Sequence, residues 1–440
     1  MTTGIERVAA KARSDSKLKF TSLTHHLSKE LLYKNLMRIP LNSGHGVDDK
    51  SVEETRLRFD KWSKEMLTEV HRKSYKPPPV RRVFIPKPGR QEKRPIGVPT
   101  ISDRCLQKSV GDILTGIFEQ DFLASSFGGR PGVGAHHAIS QLQRAISATR
   151  CNWVYEADLK SFFTSIDHGW AMRFVEERVG DPRILSLIRR WLKAGVMNDG
   201  SFEKSDVGTP QGGSISVIIS NIYLHYVLDL WIEKAVKPRM KGAINYVRYL
   251  DDFVLCFEYK SDANRFRSVI EKRLEKFSLS LEPTKTKLMR FGRPARMRMK
   301  EMYGRKPDTF SFLGFTFYCT TTRKGSFRLG LKTEKGRLNR SMLKIKECLV
   351  RIRHLPLLTQ HKSIKQILHG HFRYFGVGGN HLSLYRIYRY TLKTWRKCLS
   401  RRSQSGRLNW EKYDKILRYY PIPKPKTYLT YARMIELASL

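Results

Sequence analysis

The stretch RYLDDFVL, Arg248 to Leu255, sets the hardest condition on any fold this chain can adopt. Two adjacent aspartates stand inside an apolar run, and like charges side by side resist burial. The flanking segments INYVRY and FVLCFEY are rich in β-branched and aromatic residues and read as strands. Both demands are met by a tight hairpin turn that lifts Asp251 and Asp252 out of the core, beside a cation that neutralises them. Carboxylate oxygens suit Mg²⁺, with water and substrate phosphates completing the octahedron.

A two-metal site needs a further carboxylate from elsewhere in the chain. Asp158, at the end of the strand-like VYEAD, is the obvious candidate. Two metals held by Asp158, Asp251 and Asp252 would activate a 3′-hydroxyl and stabilise the leaving pyrophosphate of a nucleotide. Alone, YLDD is equally a surface turn. The other motifs and their order decide between the readings.

Charge points to the partner. Lys and Arg number 83 against 40 Asp and Glu, a formal net charge of +43. Such an excess opposes compaction unless a polyanion offsets it, and it is the footprint of a nucleic-acid binder. A membrane is disfavoured, because no apolar run approaches the roughly 18 residues of a spanning helix. The N-terminus has no apolar signal core, and the six cysteines show neither CxxC nor zinc spacing. We therefore expect a cytoplasmic protein.

Along the chain, SVEETRLRFDKWSKEMLTEVHRK reads as a helix with a capping box at Ser51 and Glu54, stopped by KPPPV. VRRVFIPKPGRQEKRPIGVP predicts a hairpin carrying Arg81, Arg82, Lys87 and Arg94, cations suited to a triphosphate. SDRCLQKSVGDILTGIF is a helix with Ser102 as its candidate cap. GTPQGGSIS is a loop leading into a long apolar helix. TFSFLGFTFYC is a β segment whose Gly314 would let backbone approach a primer strand. From about residue 332 the chain is helical and basic. In that tail Leu338, Met342, Ile345, Leu349 and Ile352 form one stripe while cations occupy other faces. The class is α+β with an α-rich tail.

Near the aspartates, either Phe162 or Phe163 faces the site. Phe163 would press on the sugar of an incoming nucleotide, exclude a ribose 2′-hydroxyl and favour dNTPs. Lys285 in TKTKL would protonate departing pyrophosphate, bind phosphate or simply be exposed.

The ordered set SGHGVDD, SYKPPPVRRVFIPKPGRQEKRPIGVPTISDRCLQ, SSFGGRPGVGAHHA, VYEADLKSFFTSIDH, GTPQGGSIS, RYLDDFVL, KTKL and SFLGF resembles bacterial reverse transcriptases of the group II intron-encoded and intron-like kind over nearly the whole chain. The resemblance implies a right-hand polymerase, with fingers and an antiparallel palm sheet flanked by helices, followed by a C-terminal helical thumb. It implies an N-terminal extension at 1–75 that helps hold template, fingers and palm at 76–328, and a thumb or maturase-like domain with its tail at 329–440. Metal ligands would be Asp158, Asp251 and Asp252 with the backbone carbonyl of Leu159, holding two Mg²⁺ ions for which Mn²⁺ can substitute. Lys87 and Arg94 would face the triphosphate, Phe163 would gate the sugar, and Gln211 would lie near the nascent pair. The expected partners are an RNA template with a DNA or RNA primer, and dNTPs.

Three departures from the family pattern stand out. Leu250 occupies a position that is usually Ala. Val217 follows Ser216 where Pro is usual, and the chain ends at Leu440 without a Cys/His-containing endonuclease domain. We expect a free-standing RNA-directed DNA polymerase. The alternatives are an intron RNA-binding maturase, or a repair or defence polymerase that also copies DNA or acts with a structured noncoding RNA.

Overall fold

A computed structural model of the chain describes residues 3–86, 93–194, 196–198, 201–203, 213–294, 296–297, 304, 307–402 and 408–439. Its strands are β1 (Val80–Pro86), β2 (Lys93–Val98), β3 (Trp153–Asp158), β4 (Val196–Asn198), β5 (Ser201–Glu203), β6 (Ile244–Tyr249), β7 (Asp252–Phe257), β8 (Lys287–Arg290), β9 (Phe310–Phe312), β10 (Phe315–Thr321) and β11 (Phe327–Thr333). They form three sheets, of orders β2-β1-β4-β5, β6-β7-β3-β8 and β11-β10-β9. With the helices between and after them, this is an α+β fold.

The chain divides into two compact units. The first comprises Met1–Gly134, Tyr155–Leu255 and Tyr259–Lys287; the second comprises Ala135–Val154, Cys256–Glu258 and Leu288–Leu440.

In the first unit the expected hairpin is present. β1 pairs antiparallel with β2, register Val83 to Ile96 and Ile85 to Arg94. The helix after it, Ile101–Phe118, starts earlier than read. Thr100, not Ser102, is its cap, and Thr100 Oγ1 accepts from Asp103 N. The cap must keep an extended ψ, and Thr100 has ψ 155° while Ser102 already lies inside the helix. The segment after Ser51 is two helices, Val52–Leu57 and Phe59–His71, broken at Arg58, with the capping box as expected. Asp181 fastens the N-terminal region: its carboxylate accepts from the backbone N–H groups of Leu23 and Thr24 and caps the helix Pro182–Lys193.

The long apolar helix is not a continuous α-helix. Ser216–Leu224 is α, and then His225–Asp229 and Ile232–Val236 widen into π-turns. Each π-turn rotates the following side chains relative to an α register, and here the rotation carries Asp229.

In the second unit, TFSFLGFTFYC is a hairpin rather than one strand. Leu313 and Gly314 have φ of +52° and +78°, so both central residues of the two-residue turn are left-handed, as a type I′ turn requires. The tail is helical as read: Lys335–Arg351, Leu357–Phe375, His381–Ser400, Trp410–Tyr419 and Tyr431–Leu437. Leu338, Ile345, Leu349 and Ile352 are buried, while Lys344, Lys346 and Arg351 are exposed. The fully buried Trp395 donates its indole N–H to Gln360 Oε1 at 2.8 Å.

Candidate active site

β3 is buried on both faces, through Val154, Tyr155 and Ala157. Asp158 closes the strand and is 9% exposed. Its carbonyl accepts from Glu282 N at 2.8 Å, and the next residue, Leu159, bridges to Leu281. The KTKL segment is therefore tied by backbone to the end of β3. Lys285 from that segment places its ammonium on Asp158 Oδ2. Burial favours the neutral amine, but the hydrogen bond and charge of Asp158 outweigh it and hold Lys285 protonated more firmly than a free lysine.

β6 and β7 meet in a two-residue turn, Leu250 and Asp251. Both aspartates are half-exposed, but only Asp251 lies in the turn itself. Asp252 opens β7 and points to the Asp158 side. The alternation of a strand explains this: one residue after a tight turn, the side chain is committed to a sheet face. Desolvation raises the Asp252 carboxyl most. The charges of Asp158 and Asp251 and a hydrogen bond with Asp158 raise it further, to about 8, with Lys285 offsetting part.

This cluster fits divalent cations. Like charge is concentrated on oxygen ligands, and an ammonium already neutralises one of them. Among the described residues no three His, Cys, Asp or Glu side chains converge as a ready-made metal cage.

The two phenylalanines separate cleanly. Phe162 is 2% exposed and packs edge-on to Tyr223 at 6.5 Å, whereas Phe163 is only half-buried. The chain turns between β3 and the helix Phe162–Ser165 through Ser161, held at φ +48°. Leu159 is buried. Arg94 lies on β2 opposite Ile85, with its side chain outside the described residues. Lys87 and Gln211 also lie outside them.

A second set of polar residues escaped the sequence reading. Arg248, two residues before the turn, is fully buried, as is Asp229. Arg248 Nε and Nη2 donate to the two oxygens of Asp229 at 2.7 and 2.6 Å. Tyr246 Oη donates to Asp229 Oδ1 at 2.9 Å. Each charge stands in an otherwise apolar run, NYVRY and YVLDLW, and that mismatch of opposite signs was the available signal.

Two of the three departures from the family pattern, Val217 and Leu250, share one neighbour. A Cβ on Gly129, which has φ +70°, would collide with Val217 Cγ1 and lie 3.4 Å from Leu250 Cδ2. A Cβ on Gly128 would lie 2.6 Å from Leu250 N. The SSFGG segment is thus packed directly on the YLDD turn, and glycine is required there for close approach.

Residues 85–317 match the family model described as reverse transcriptase (RNA-dependent DNA polymerase). The protein YkfC of Escherichia coli strain K12 is 30% identical over 363 residues, covering 73% of this chain and 90% of YkfC. The group II intron-encoded protein LtrA of Lactococcus lactis subsp. cremoris is 28% identical over 316 residues, covering 69% of this chain and 52% of LtrA, so the match spans about half of that relative. A nuclear intron maturase of Arabidopsis thaliana is 23% identical over 206 residues, covering 40% of this chain and 28% of its own. No helix among the described residues is long and apolar enough to cross a membrane. With its palm motifs in order and its carboxylates gathered at β3 and β7, the chain belongs to the reverse transcriptases, the RNA-dependent DNA polymerases, in their group II intron-like branch.

Proposed function

We propose that the chain extends a primer 3′-hydroxyl with dNTPs on an RNA template, at Asp158, Asp251 and Asp252. The observation that carries this reading is the meeting of Asp158 with Asp252, a concentration of like charge that divalent cations offset. Reverse transcriptases use divalent metal ions; we assign two Mg²⁺ here, with Mn²⁺ able to substitute. When bound, they supply activation of the primer hydroxyl and stabilisation of the pyrophosphate leaving group.

The chain's own residues do the rest. Asp158, Asp251, Asp252 and the Leu159 carbonyl are the ligands. Lys285, whose ammonium pairs with Asp158, is assigned to give a proton to the departing pyrophosphate. Phe163, the ring not committed to the core, excludes the ribose 2′-hydroxyl. Lys87 and Arg94 bind the triphosphate, and Gln211 lies by the nascent pair. We assign template holding to residues 1–75, fingers and palm to 76–328, and the thumb with its tail to 329–440. The exposed cations of the helix Lys335–Arg351 favour a second role, binding structured intron RNA as a maturase does.

The test is dNTP incorporation on primed RNA and primed DNA in Mg²⁺, with Asp251→Ala alongside. Incorporation on RNA that the mutant loses supports the reading. A strong preference for DNA moves the assignment to a repair polymerase. Tight RNA binding without incorporation leaves the maturase role in its place.

A further inference from the structure

We infer that Arg248 is a positioning residue for this reaction: its buried pair with Asp229 sets the turn from which Asp251 and Asp252 present their carboxylates. The inference rests on the assignment of the site to those aspartates.

The guanidinium is saturated. Besides the two bonds to Asp229, Nη2 donates to Ser126 Oγ at 2.7 Å, and Nη1 donates to Asn221 Oδ1 at 3.2 Å and to the Leu250 carbonyl at 3.1 Å. Five N–H donors meet five acceptors from four elements of the chain. The last acceptor matters most. Leu250 stands immediately before Asp251 and has φ +56°, a left-handed conformation that is strained for a non-glycine residue. Arg248 clamps the carbonyl of that strained residue.

The clamp is boxed from the other side. Asn221, which accepts from Arg248, donates its amide to Gly128 O at 2.7 Å, and Gly128 is the glycine pressed against Leu250 N. Backbone bonds join the same parts: Phe127 N donates to Arg248 O at 3.0 Å, and Arg248 N donates to Ser125 O at 2.8 Å. Asp229 reaches this point because it ends the π-turn His225–Asp229. A well-packed apolar pair would serve stability as well as a buried ion pair or better. What an apolar pair cannot supply is a hydrogen bond to the Leu250 carbonyl.

The experiment compares the wild type with the double variant Arg248→Met/Asp229→Leu, which fills the volume without a buried charge, and with Arg248→Lys. Four quantities are read: the melting temperature, affinity for a primer–RNA duplex, the Mg²⁺ dependence of single-nucleotide incorporation, and Mn²⁺ binding followed by the free-ion EPR signal. We expect the double variant to stay folded and bind duplex normally. Its maximal rate and its Mn²⁺ affinity should each fall about 10–100-fold, the range for losing a group that orients a metal ligand. Arg248→Lys keeps the charge but not the fork, and should show the same defect in smaller degree. Unchanged Mn²⁺ affinity and Mg²⁺ dependence in a folded double variant overturn the proposal. If the double variant melts below the assay temperature, Arg248→Lys decides by the same readouts. An inactive wild type that still binds Mn²⁺ overturns the polymerase reading alone, and the Mn²⁺ comparison still decides the role of Arg248.

Discussion

Two aspartates of the first unit, Asp229 and Asp252, face opposite electrostatic situations. Asp229 is wholly buried, yet it is met by the fork of Arg248 and the hydroxyl of Tyr246. Asp252 is less enclosed, but the charges of Asp158 and Asp251 press on it, with Lys285 opposing them in part. The first is a completed pair. The second is a carboxyl crowded by like charge. Burial alone therefore does not mark function; uncompensated charge does.

The contrast can be broken in four ways. The largest effect is on chemistry. Asp158→Ala or Asp251→Ala should lower incorporation on primed RNA at least about a thousandfold, as the loss of several kcal/mol of transition-state charge stabilisation implies. Neither change should lower the melting temperature by more than a few degrees. Asp229→Asn should do the reverse to stability. It leaves the Arg248 charge buried without its partner, and denaturant unfolding should register a loss of about 3–5 kcal/mol.

Asp252→Asn should stabilise the metal-free protein. A carboxyl whose folded pKa is raised from 3.8 to about 8 holds its proton more tightly when folded. Its contribution is complete below 3.8 and is lost as pH rises through 8. The gain from Asn should exceed about 1 kcal/mol at pH 9 and shrink toward pH 6. A gain that does not change with pH would place the repulsion elsewhere.

The smallest effect sharpens the Asp229 side. His225 lies 3.9 Å from Asp229, but burial holds its pKa down at about 4. The unfolded chain binds the proton first, so stability falls as pH drops from about 6.5 to about 4, by at most about 1.4 kcal/mol per pH unit. His225→Gln should flatten that slope. His371, held at about 4 by burial, adds a similar slope that this variant leaves intact.

Much of this molecule was legible from residue order. Runs of β-branched and aromatic residues marked β3, β6 and β7, and the Ser51–Glu54 spacing marked a capping box. These are local rules, carried by a few adjacent residues with a fixed period or spacing. What the sequence left open was always a matter of facing. It could not say whether Phe162 or Phe163 turned inward, that Asp252 would swing to Asp158 while Asp251 stayed in the turn, or that Lys285 would sit on Asp158. It also could not pair Arg248 with Asp229, nineteen positions away. That pairing depends on a π-turn rotating one helix and on two glycines admitting Leu250 against SSFGG. Periodicity names the elements because backbone geometry is local. Partners are chosen only when the elements pack, because a buried charge takes whichever opposite charge the completed interior places within reach.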